Sequence, residues 1–164
     1  MENKMDNQVY VSMMMESLQK KKQILSSLYA GTKEQENLLL ETELDVDRFS
    51  ELIEEKGQGI DELESLDGGF DILFKKLEKE LMANRASYSS EIETMKSLIR
   101  DITDLSTKIQ VLEKRNHDRF QSYMSGEKER FRKANASQQT AMTYAKNMAG
   151  AHKPGNSYFV NETK

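Results

Sequence analysis

Apolar residues recur every three or four positions along almost the whole chain, the pattern of helices that bury one stripe. From Asp6 to Glu43 the seam reads Val11, Met14, Leu18, Leu25, Leu28 and Leu39, with Lys21, Thr32 and Gln35 as its polar members. Gly31 costs about 1 kcal/mol against alanine inside a helix. Thr32 and Gln35 have the spacing of a capping box. The apolar phase holds on both sides, so one continuous helix is expected. Leu44 to Asp47 reads as a turn, with Asp45 or Asp47 placed to cap the next helix.

The second helix is expected over 46–84. It carries Phe49, Leu52, Ile53, Lys56, Ile60, Leu63, Leu66, Phe70, Leu73, Phe74, Leu77 and Leu81, and positions 63, 66, 70, 73, 77 and 81 step by three or four. Gly57, Gly59, Gly68 and Gly69 each weaken it, and a bent helix with local irregularity at Gly68-Gly69 is expected. A third helix over 87–125 carries Tyr88, Ile92, Met95 and Ile99. After a one-residue drift, Leu98, Ile102, Leu105, Ile109, Leu112 and Asn116 continue its seam. Such drift comes from 3.6 residues per turn. Asn116 is a polar seam residue of the kind that sets register. The three segments are each about 57 Å long at 1.5 Å per residue. Matched lengths and short turns predict an all-α fold: an antiparallel bundle of three long helices, up-down-up, with a C-terminal helical extension. The extension is expected over 127–149, either overhanging the bundle or hinged at Ser125-Gly126. Residues 1–150 then form one domain and 151–164 a flexible tail containing Tyr158-Phe159-Val160.

Composition supports this picture. The one proline is Pro154, just after the last expected helix, and the chain has no cysteine or tryptophan. Without cysteine there is neither a disulfide framework nor a thiolate metal site. No apolar run approaches the roughly 18 residues needed to span a bilayer, and Met1-Glu2-Asn3-Lys4 does not open a signal peptide. A cytoplasmic protein is expected. Charge is uneven: Glu34 to Asp67 holds thirteen acids against Arg48 and Lys56, while Lys114 to Lys153 holds nine bases against three acids.

Candidate chemistry is absent. His117 and His152 lack the partners of a metal site, the glycine pairs do not form a phosphate loop, and no Glu-x-x-His motif faces the bundle. No enzyme, cofactor or metal is expected. The C-terminal segment instead carries an apolar stripe. At 100° per residue, Phe120, Met124, Phe131, Gln138, Met142, Ala145 and Ala149 fall on one narrow face. Tyr144 lies about a third of a turn away. The residues expected to meet a partner are Phe120, Tyr123, Met124 and Phe131, then Met142, Tyr144 and Met148. The stripe either takes a partner helix or packs internally. The nearby bases Arg119, Lys128, Arg130, Arg132, Lys133 and Lys146 spread around the helix and form no single basic face of the kind nucleic-acid binding wants.

Several stretches together resemble the small flagellar export chaperones of the FlgN/FliT type, in the form found in Gram-positive anaerobes. They are Leu44-Asp45-Val46-Asp47-Arg48-Phe49-Ser50-Glu51-Leu52-Ile53-Glu54-Glu55-Lys56, Ile60-Asp61-Glu62-Leu63 and Leu66-Asp67-Gly68-Gly69-Phe70-Asp71. To these are added Ile102-Thr103-Asp104-Leu105, Ile109-Gln110-Val111-Leu112-Glu113-Lys114-Arg115-Asn116, Thr143-Tyr144-Ala145-Lys146-Asn147-Met148 and Tyr158-Phe159. The resemblance implies a cytoplasmic chaperone that binds the C-terminal segment of a hook–filament junction or filament-cap subunit and delivers it to the export gate. It places subunit binding on the stripe from Phe120 to Met142 and gate engagement at Tyr144. The ending Asn161-Glu162-Thr163-Lys164 is less basic than the tails of that family. Two other classes fit the residues alone: a self-associating structural coiled coil, closing as a homodimer, and a helical nucleic-acid binder.

Overall fold

The computed structural model of the chain describes residues 4–149, and for Lys4, Phe131, Ala134, Gln138 and residues 146–149 the backbone alone. The expected tail, with Pro154 and Tyr158-Phe159-Val160, lies outside the described residues. Three α-helices make up the fold: α1 (Lys4–Leu40), α2 (Val46–Ala83) and α3 (Ser89–Ala149), with a 3-10 turn, Arg85–Tyr88, between α2 and α3. No strand occurs among the described residues. Contacts group the chain into two compact units, Met1–Asn116 and His117–Lys164.

Local chemistry explains the element boundaries. Asp45 caps α2, its carboxylate accepting from the Arg48 backbone N–H at 3.1 Å, which satisfies one of the four free donors of the first turn. Gly31 does not interrupt α1. Thr32 forms no cap: its hydroxyl donates to the Leu28 carbonyl one turn back, at 2.7 Å, inside the continuing helix. α2 likewise runs as one helix through all four of its glycines.

The segments expected as 87–125 and 127–149 are one helix, with no break at Ser125-Gly126. Gly126 lowers helix propensity by about 1 kcal/mol but keeps its N–H and so leaves the hydrogen-bond ladder intact. The next turns favour helix through Glu127–Arg130 and Glu129–Arg132 pairs at 2.9 and 3.4 Å, the i,i+3 spacing that supports a helix surface.

In the first unit, side-chain pairs set direction and register. Between α1 and α2, Tyr10 meets Lys76, Lys21 meets Asp67, and Gln35 meets Lys56. Partner numbers fall as α1 numbers rise, so the two helices are antiparallel. Between α1 and α3, Lys22 meets Asp101, and Thr32 meets Glu113 and Asn116. Both numbers rise together, so those helices are parallel. The core lies along the expected seams: Val11, Met14, Leu18 and Leu25 from α1, Leu77 and Leu81 from α2, and Met95 and Ile102 from α3, with Tyr88 at the α2–α3 turn.

Candidate functional site

The second unit carries the residues expected to bind a partner. Phe120 and Tyr123 are half-buried, with their rings stacked at 6.4 Å between centroids. One turn on, Met124 is 42% exposed. Met142 is half-buried and Tyr144 is 67% exposed. The side chains of Phe131 and Met148 lie outside the described residues. Of the expected stripe, Phe120 and Met142 are half-buried and Met124 is exposed, and Tyr144, off the stripe, is exposed too. Asn135, near the same face, is buried, and its Oδ1 has no hydrogen-bond partner among the described residues. Nothing in the apolar periodicity singles it out.

The first unit holds a feature that periodicity did not reveal. A trough of about 450 Å³ opens between α2 and the first turns of α3. Phe70, Phe74 and Met82 wall it on the α2 side, and Ile92 and Ile99 on the α3 side. Met14, Leu81 and Met95 form its apolar floor. Its charged edge consists of Glu78, Arg85 and Lys96. Met82 is 74% exposed, and Phe74 and Ile99 are exposed as well. One signal for this trough was in the sequence. On α2 the apolar positions 70, 73, 74, 77, 81 and 82 cover a face wider than one coiled-coil seam requires. On α3 the seam drift leaves Ile92 and Ile99 on the flank away from Leu98 and Leu105.

Further along the first unit, a polar layer replaces the apolar core. Thr32 and Gln35 are buried in α1 and Asn116 in α3. Asn116 Nδ2 donates to the Thr32 carbonyl at 3.0 Å. Lys56 Nζ donates to Gln35 Oε1 at 2.6 Å and pairs with Glu113, whose carboxylate lies 3.3 Å from the Thr32 hydroxyl oxygen. All three helices meet in this layer, and a one-turn slip of any of them would strand buried polar groups.

Arg48 anchors the start of α2 to the end of α1. Its guanidinium grips Glu34 with two hydrogen bonds, at 2.5 and 2.8 Å, and reaches Glu51 at 3.0 Å. Those bonds hold the Glu34 carboxyl below its ordinary range and push the guanidinium pKa up. Both bases of the acidic stretch are therefore engaged, and bases outside it meet two more of its carboxylates, Lys21 at Asp67 and Lys33 and Arg115 at Glu36. Among the described residues there is no cluster of three potential metal ligands and no helix long and apolar enough to cross a membrane.

A family model described as FlgN protein matches residues 5–150. No curated protein and no solved structure matches the chain.

Proposed function

The chain belongs to the FlgN family, that of FlgN-type flagellar export chaperones, and from that membership we propose which partners it holds and with which residues. It acts in the cytoplasm, where it binds the C-terminal, coiled-coil-forming segment of a hook–filament junction or filament-cap subunit. It keeps that subunit unassembled and delivers it to the export gate. Phe120, Tyr123, Met124, Phe131, Met142 and Met148 engage the subunit, and Tyr144 engages the gate.

The observation that supports this reading is an exposed Met124 on the apolar stripe together with an exposed Tyr144 off it. A subunit whose helices will later pack in a filament exposes an apolar seam beforehand, and an amphipathic helix covers such a seam as a coiled-coil partner would. Methionine suits the task, because its flexible thioether fills irregular contacts that must later be released.

Calorimetry with C-terminal peptides of junction and cap subunits tests the reading. One of them is expected to bind, and Met124→Glu or Phe131→Glu to weaken it about tenfold, the effect of spoiling an interface anchor. Tyr144→Ala is expected to leave peptide binding unchanged while reducing motility in cells. If no subunit peptide binds, the reading is wrong.

A further inference from the structure

The trough in the first unit contains none of the residues assigned above, and nothing in the proposed function uses it. Its walls are two helices whose contributing residues follow the three- and four-residue spacings by which helices pack: Phe70, Phe74, Glu78 and Met82 on α2, and Ile92, Lys96 and Ile99 on α3. The α2 wall extends over about three helical turns. An open trough of that length between two helices, with a third helix supplying the floor at Met14, has the shape that a fourth helix fills in a four-helix bundle.

Charge narrows the occupant. Arg85 makes no ion pair among the described residues, and Lys96 has only its own-helix neighbour Glu93, at 3.7 Å. Both cations stand on the edge of the trough with Glu78 as its one anion, so the edge is net positive. A helix seated there gains from carboxylates along the edge that meets them, and a basic helix is repelled. The wall can also adapt. Gly68 and Gly69 precede Phe70, and a side chain at either would meet nothing within 4 Å. Packing therefore does not require glycine at these positions. Their effect is to loosen the backbone beside the Phe70–Phe74 wall.

We propose that the α2–α3 trough is a docking site for one amphipathic helix of a partner protein, with large apolar side chains over about three turns and an acidic flank that meets Arg85 and Lys96. The site is distinct from the subunit-binding face of the second unit and does not depend on which subunit that face holds.

The chain has no tryptophan, so a tryptophan-bearing probe reports binding without background. The probe is a synthetic helical peptide of about five turns with leucines and one tryptophan on one face and glutamates along one flank; a control peptide has lysines in place of the glutamates. Titration of the full chain is expected to give a saturable blue shift for the glutamate probe and weaker binding of the lysine probe. Met82→Glu and Phe74→Glu are each expected to cut affinity about tenfold, as loss of a central anchor does. Both side chains are exposed, and an unchanged thermal melt confirms that the fold survives. Arg85→Glu is expected to shift preference toward the lysine probe. Absent saturation, equal affinity for both probes, or indifference to Met82→Glu and Phe74→Glu overturns the proposal. So does a concentration-dependent dimer that Met82→Glu dissolves, because the trough would then belong to a second copy of this chain. Met124→Glu leaves probe binding unchanged, which separates failure of this site from failure of the second unit.

Discussion

Tyr88 shows how one side chain can join core packing to titration. It is buried at the α2–α3 turn, where its hydroxyl donates to Glu80 Oε1 at 3.4 Å, an oxygen that also accepts from Asn84 Nδ2 at 2.9 Å. Burial, and then the adjacent Glu80 carboxylate, push the phenol above its ordinary value of 10.0. A raised acid favours the neutral form in the folded state. The stability it contributes is therefore full below the unfolded value and is lost as the pH climbs through the folded one. Urea denaturation is expected to show wild-type stability falling above pH 10.0 more steeply than that of Tyr88→Phe. At neutral pH the same substitution is expected to cost less than about 1 kcal/mol, because it keeps the ring and removes one long hydrogen bond. Parallel pH profiles for the two proteins would contradict this account. Glu34 behaves in the opposite sense. Its carboxyl is held low by Arg48, so its contribution is present above the ordinary carboxylate value and is lost as pH falls through the lowered one.

Within α2 the glycines divide by environment. Gly68 and Gly69 face open space in the middle of a continuous helix. Alanine at either is expected to raise stability by about 1 kcal/mol, the difference in helix propensity. Gly59 is different: a Cβ there would stand 2.9 Å from Leu28 Cδ2 and 3.5 Å from Ile24 Cγ2. Leu28 can rotate aside, at the expense of its packing. Gly59→Ala is therefore expected to gain less than Gly68→Ala in the same denaturation series. Equal gains at both positions would mean that α1 and α2 are not in close contact at Gly59. The same reasoning accounts for α3, where Gly126 weakens the helix without ending it.

On the scale of the whole molecule, every residue of the main apolar cluster lies between Val11 and Ile102, and the polar layer that ties α1, α2 and α3 ends at Asn116. The first unit therefore contains its own core and its own register-setting contacts. A fragment covering residues 1–116 is expected to unfold cooperatively in urea, with a midpoint close to that of the main transition of the full chain. A fragment without a cooperative transition would show that the core requires residues beyond Asn116. The tryptophan-probe titration also separates the units, because the trough lies wholly within the first.

Periodicity along the chain determined what depends on neighbours in sequence. It located α1, α2 and both parts of α3, which it divided at Ser125-Gly126, passed α1 through Gly31, offered Asp45 or Asp47 as a cap, and put Tyr144 off the apolar face of its helix. Backbone hydrogen bonds and side-chain phase act over a turn or two, so the pattern contains them. The tertiary structure decided what depends on distant residues. Leu52 and Ile53 are consecutive apolar residues on α2, yet Leu52 is buried and Ile53 exposed. Phe74 and Ile99 repeat at core spacing but border an open trough. Thr32 and Asn116 interrupt their seams when read singly, and Asn116 Nδ2 reaches the Thr32 carbonyl only when α1 and α3 lie side by side. A stripe specifies which face turns inward. How many helices meet that face, and how closely, is set by residues tens of positions away, and that is what leaves one apolar surface covered and another open to a partner.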